Sequence, residues 1–174
     1  ANLMMFMFGT SGSTPSIFNQ QLGDDSGKYF NTSNATNMYG MFRLCVDFNQ
    51  SISHFKTGSV DNTVEFGFMS GMKEMFLGAT SFNNGGDMCI GDLDVSNVDT
   101  FENMFLSAVN FDQPISSWTV KGTANLTDMI KGSGLSLNDA FSQGFKNLST
   151  PTTELFGKVS MCSNNDIPIE NAEN

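Results

Sequence analysis

The side chains that most often carry catalysis or hold metals are scarce here and badly spaced for either task. His54 is the one histidine, and the cysteines are Cys45, Cys89 and Cys162. A Ser-His-Asp or Cys-His centre needs a nucleophile and an orienting acid set around the imidazole. No pattern near His54 supplies them, and a repeated segment places Ser117 at the matching position. With no C-x-x-C pair, the cysteines do not read as a zinc site. Cys45 aligns with Ala79 and Ala108, which marks it as a small core residue. Cys89 and Cys162 fall outside the repeated pattern and are expected to form a disulfide tethering the C-terminal region.

Other candidates carry milder readings. Neither Asp24-Asp25 nor Asp92-Leu93-Asp94 has the full oxygen-ligand spacing of a known calcium loop, and both read as solvated acidic turns. Gly132-Ser133-Gly134 lacks the wider pattern of a phosphate loop. Five N-x-[S/T] sequons begin at Asn31, Asn34, Asn49, Asn125 and Asn147. Only Asn31 and Asn147 lie outside the repeat, so these two are the expected glycan acceptors on a eukaryotic secretory route. No paired-carboxylate spacing suggests a hydrolase. The expectation is a protein that is not an enzyme and uses no cofactor or metal.

Composition narrows the partners. Net charge is -10, with 8 Lys and Arg against 18 Asp and Glu, so no basic stripe is available for phosphates or anionic lipid. Charged residues are 15%, well below the roughly 25% of an ordinary domain, which leaves Asn, Ser, Thr and Gly to make the polar surface. The apolar side draws on 17 Phe and 12 Met, with a single Trp. No apolar run approaches the roughly 18 residues of a membrane span. The chain opens with Ala1 just ahead of the apolar run Leu3 to Phe8, as expected of a processed or partial chain.

Heavy use of two apolar residue types suggests one packing unit used many times. Three segments superimpose without gaps: Met41-Phe42 to Phe48-Asn49-Gln50, Met75-Phe76 to Phe82-Asn83-Asn84, and Met104-Phe105 to Phe111-Asp112-Gln113. Their pattern is M-F-x-x-[small]-x-x-F-[N/D]-[Q/N]. A looser copy runs from Met7-Phe8 to Phe18-Asn19-Gln20, and Phe55 matches Trp118. An Asn four residues before an apolar anchor recurs at Asn34, Asn62, Asn97 and Asn125.

These features predict an α/β repeat solenoid of about four to five coils with a C-terminal cap. Apolar residues at i, i+3, i+4 and i+7, as at Phe101, Met104, Phe105 and Ala108, predict short helical turns on one face. The F-[N/D]-Q-x-I segments alternate and predict short parallel strands on the other. Their Asn is expected to bridge coil to coil through its amide. Coils are expected at about 1–30, 31–58, 59–93, 94–121 and 122–142. The register is expected to break after Met129, with 143–174 forming a cap and a polar tail.

The stretches MFLSAVNFDQPISSWTV and DVSNVDTFENMFLSA resemble the BspA-like leucine-rich-repeat surface proteins, whose repeat reads approximately W-D-V-S-N-V-T-D-M-x-x-M-F-x-x-A-x-x-F-N-Q-x-I. The likeness covers residues 33–130 well and 4–22 loosely. It departs at residues 60–75, at 85–92 and in the C-terminal quarter. The resemblance implies a leucine-rich-repeat-like solenoid, a cell-surface or secreted location, and adhesion or protein–protein contact without catalytic residues.

Taken with the charge, the expected function is a non-catalytic interaction or adhesion module in an extracellular, surface or lumenal setting, binding protein and not nucleic acid. The alternative is a peripheral structural subunit docked through its apolar first coil on a larger complex, whether membrane-bound or not. One prediction is immediate. Non-reducing peptide mapping should find the Cys89 and Cys162 peptides joined, with separation only after reduction. Alkylation of both as free thiols in the native protein would rule the bond out.

Overall fold

The computed structural model describes residues 2–23, 30–61, 69–113, 115 and 118–135. Their backbone hydrogen bonding follows one rule along each M-x-x-M-F-x-x-[small] segment: successive amides alternate between two kinds of partner. From Met38 to Leu44, the N–H groups of Met38, Gly40, Phe42 and Leu44 donate to the carbonyls of Gly71, Lys73, Met75 and Leu77 at 2.8–3.0 Å. The amides of Met41, Arg43 and Cys45 instead donate three residues back, to Met38, Gly40 and Phe42, at 3.0–3.2 Å.

The same alternation carries each segment onto the next. Met4, Phe6, Phe8 and Thr10 donate to Asn37, Tyr39, Met41 and Arg43. Met72, Glu74, Phe76 and Gly78 donate to Thr100, Glu102, Met104 and Leu106, and Phe101, Asn103, Phe105 and Ser107 donate to Asn125, Thr127, Met129 and Lys131. Five rows are thus joined in parallel, with Phe8, Phe42, Phe76, Phe105 and Ile130 at equivalent places. Among the described residues, regular strand pairing is confined to β1 (Asn2–Leu3) with β2 (Ala35–Asn37), plus single bridges at Ser16–Cys45 and Thr100–Asn125.

The segments expected as helical turns are therefore tandem β-turns. Each complete one carries two left-handed residues four apart: Gly40 and Leu44, Glu74 and Gly78, Asn103 and Ser107, Asp128 and Gly132, with φ between 51 and 68°. An α-helix requires negative φ throughout and bonds to the fourth residue back, so neither condition is met. Holding a non-glycine residue left-handed costs about 1–2 kcal/mol. The compensation is geometric, because the rotated peptide aims every second N–H at the neighbouring row. Likewise the F-[N/D]-Q-x-I segments, expected as strands, have no backbone ladder among the described residues.

One expected equivalence also shifts. Asn125 lies opposite Thr100, not Asn97: Phe101 donates to the Asn125 carbonyl at 2.8 Å and Asn125 donates to Asp99 at 2.8 Å. Both Thr100 and Asn125 open their row, receiving the amide two residues ahead on the side-chain oxygen. Matching Asn to Asn slid the last row by three residues, because that row is shorter. Its register does not break after Met129. It continues through Lys131 and through Ser133, whose amide closes the turn on Ile130 at 3.0 Å.

The alternation leaves apolar side chains stacked in columns. One column holds Phe8, Phe42, Phe76 and Phe105, with ring centroids 5.3, 5.2 and 5.5 Å apart. A second holds Phe18, Phe48, Phe82 and Phe111 at 5.9, 5.8 and 5.8 Å. Within a coil the two rings stack at 4.3, 4.1, 3.9 and 3.8 Å. The spacing along each column is a little over the roughly 4.8 Å between adjacent hydrogen-bonded chains, so backbone pairing dictates ring stacking. Met41, Met75, Met104 and Met129 are buried beside the columns, and Cys45, Ala79 and Ala108 fill the small position.

Left-handed Ser107 is exposed and has glycine at the matching places, Gly78 and Gly132. Ser107→Gly should raise stability by up to about 1 kcal/mol after the added chain entropy is counted. Ser107→Val should lower it by about 1 kcal/mol or more. Urea unfolding midpoints check both signs, and the reverse order would contradict the turn geometry.

Candidate functional site

A polar rim runs along the coils where the F-[N/D]-[Q/N] segments leave the phenylalanine columns. Each Asn side chain here takes the place of a backbone carbonyl. Asn49 N–H donates to Asn19 Oδ1 at 3.0 Å, Asn83 N–H to Asn49 Oδ1 at 2.8 Å, and Asp112 N–H to Asn83 Oδ1 at 3.0 Å. Glutamines reinforce the chain of bonds: Gln50 Nε2 donates to Asn19 Oδ1 at 2.8 Å, and Gln113 Nε2 to Asn83 Oδ1 at 2.8 Å. Asn is the residue type that reaches one row across with a carbonyl while keeping a spare NH₂.

In the third coil the glutamine position is Asn84, fully buried and left-handed at φ 52°. Its Oδ1 accepts from Ile52 N–H at 2.8 Å, and its Nδ2 donates to Ser53 Oγ and to the Asp87 carbonyl. Two glycines follow, and the Gly85 amide donates to Asn49 Oδ1 at 2.9 Å. A Cβ on Gly85 would lie 3.1 Å from the Ser51 nitrogen, so the turn sits hard against the second coil. The chain then runs into a 3₁₀ segment, Met88–Asp92, capped by the Asp87 carboxylate on Cys89 N–H at 2.9 Å.

Beside this turn lies a cleft of about 420 Å³ lined by Gln21, Gly23, Asn49, Gln50, Ser51, His54, Gly85 and Asp87. Ser51 Oγ donates to Asp87 Oδ2 at 2.6 Å. The serine proton is thereby committed to a carboxylate, which is the wrong connectivity for a nucleophile activated by histidine. His54 stands edge-on to Phe55, centroids 5.0 Å apart. Burial pushes the Asp87 carboxyl up, but hydrogen bonds from Ser51, the Cys89 amide and Ser53 outweigh it and hold it below its ordinary value.

The remaining sequence candidates are dispersed. Trp118 is buried and donates Nε1–H to the Ile90 carbonyl at 3.0 Å. Asn97 is exposed and donates to the Gly58 carbonyl at 2.9 Å. Asn31 is exposed and holds Ser33 N–H at 2.9 Å, while Asn147 lies outside the described residues. Cys89 is disulfide-bonded, and Cys162 lies outside the described residues. Cys45 is a free buried thiol, pushed up to about 11 by burial, that donates to the Phe8 carbonyl. Asp94 makes a local turn with Ser96, whose hydroxyl and amide lower its carboxyl, and Asp24-Asp25 lie outside the described residues. Among the described residues no three His, Cys, Asp or Glu gather as a metal cluster.

Reading the sequence missed Ser51 and Asp87 as cleft residues, and Asn84 as the buried residue that shapes the turn beside them. The available signal was Asn83-Asn84-Gly85-Gly86, a turn sequence that interrupts the repeat. Because the Asp87 carboxyl is depressed in the folded protein, the stability it adds is present above its ordinary pKa of 3.8 and is lost as the pH falls through the lower folded value. Asp87→Asn should therefore unfold at lower urea than wild type at neutral pH, with the gap closing in acid below about 3.8. A gap that is constant with pH would contradict this assignment.

No curated protein and no solved structure matches the chain. A family model described as "Mycoplasma protein of unknown function, DUF285" matches residues 2–144 and again 67–165. Two overlapping matches, offset by about two coils, are what a chain of repeats gives. With most of its length matched, the chain belongs to the DUF285 family.

Proposed function

We propose that this protein is a non-catalytic interaction or adhesion module of a surface or secreted protein, built as a leucine-rich-repeat-like solenoid of the BspA-like kind. The observation that carries the reading is the rim of Asn19, Asn49, Asn83 and Asp112 tied across successive coils. A row of amides fixed through their Oδ1 atoms offers regularly spaced NH₂ donors to a partner at little entropic cost, since hydrogen bonds already hold the side chains. Salt bridges Arg43–Glu74 at 3.1 Å and Lys73–Glu102 at 3.0 Å stiffen the other flank from coil to coil. The family assignment supports the same reading, because BspA-like surface proteins carry this family's repeat.

A second reading, a subunit docked on a larger complex, draws on the first coil. Met7 is 46% and Ile17 79% exposed, and Phe8 and Phe18 are only half-buried there. Light scattering separates the two readings. A monomer that stays dispersed favours the free module, and association that a Met7→Ser, Ile17→Ser double variant abolishes favours docking.

Adhesion is tested with beads carrying the purified chain on extracellular matrix and intact cells. Coated beads should be retained, and Asn19→Ala with Gln50→Ala should reduce retention several-fold. Retention no better than that of beads coated with an unrelated acidic protein would contradict the proposal.

A further inference from the structure

The cleft beside the rim has the size of a small-molecule site, about 420 Å³. Its wall excludes several ligand classes. Its one basic side chain is His54, no Lys or Arg lines it, and the Asp87 carboxylate does, so phosphates and carboxylates meet like charge without a permanent counter-charge. The lining is mostly polar, so a lipid or aromatic ligand gains little by leaving water. One carboxylate is too few for a calcium ion, which takes six to eight oxygens. A neutral ligand that both donates and accepts hydrogen bonds fits what remains.

The hydrogen-bonding capacity of the wall is split in the same way. Asn49 Oδ1 is occupied by Asn83 N–H and Gly85 N–H, which fixes the amide and leaves its Nδ2 hydrogens for a ligand. Gln50 and Gln21 use Nε2 on Asn19 Oδ1 and the Gly23 carbonyl, leaving each Oε1 as an acceptor. Asp87, which accepts from Ser51, Cys89 N–H and Ser53, keeps a lone pair for a further donor. A fixed donor and several acceptors on one wall suit adjacent hydroxyls, each of which gives one proton and takes one.

We propose that this cleft binds a neutral polyhydroxylated ligand, one or two sugar units in size, with Asn49 donating to it and Gln21, Gln50 and Asp87 accepting from it. Binding here needs no protein partner, so it stands or falls separately from adhesion.

The test is titration of the full ¹⁵N-labelled chain with glucose, galactose, mannose, N-acetylglucosamine and lactose, alongside inorganic phosphate and calcium chloride. At least one neutral saccharide should shift the side-chain amide signals of Gln21, Asn49 and Gln50 with a Kd of about 1 mM or tighter. Asp87→Asn and Gln21→Ala should each weaken it at least about ten-fold. Gln21 is exposed, so Gln21→Ala decides the matter if Asp87→Asn fails to fold. The proposal is overturned if no saccharide shifts these signals, if the shifts lie elsewhere, if phosphate or calcium binds as tightly, or if Gln21→Ala binds as wild type does.

Discussion

Each coil can pair only about half of its backbone amides with itself. In the tandem turns every second N–H closes a bond three residues back, and the intervening ones leave the coil altogether. A buried amide without a partner costs roughly 1–3 kcal/mol, so a single coil is untenable and a stack is stable. Both the left-handed residues and the ring columns follow from this. Positive φ at every fourth residue turns the alternate peptides outward, and the hydrogen bonds then set the distance at which the phenylalanines must meet.

That distance explains the choice of side chain. Rings more than 5 Å apart along a column and about 4 Å apart within a coil fill the interior as two offset stacks. Flat rings can repeat in register where branched aliphatics would leave gaps or collide, and each offset aromatic pair adds about 0.5–1.5 kcal/mol beyond its buried area. Methionine fills the irregular spaces alongside. The same stacking lines up whatever stands outside the core. The Asn rim is thus a consequence of the ring columns one residue earlier, and the cleft forms where the third coil departs from the pattern at Gly85-Gly86.

The buried positions were legible because identity repeats: Met-Phe, a small residue and a second Phe recur in phase, and these side chains are buried in the second, third and fourth coils. The backbone conformation was not legible. Over eight residues, two four-residue turns place apolar side chains at the same positions as two helical turns of 3.6 residues, so periodicity cannot separate them. Leu44, Glu74 and Ser107 gave no hint of left-handed backbone, although glycine at the matching places did: Gly78 and Gly132 for Leu44 and Ser107, and Gly40 for Glu74. Asn125 misled for another reason. Asn serves two different turns in this chain, and residue identity alone does not say which. The cleft lay outside reach because Ser51 and Asp87 meet only through the stacking of two coils.

The mutual dependence of the coils is tested most directly at Phe76, which stacks on Phe42, Phe82 and Phe105 at 5.2, 3.9 and 5.5 Å. Urea unfolding of Phe76→Ala should show a loss of about 3–5 kcal/mol in one cooperative transition. A loss under about 1 kcal/mol, or separate unfolding of the coils before and after Phe76, would contradict the dependence of each coil on its neighbours.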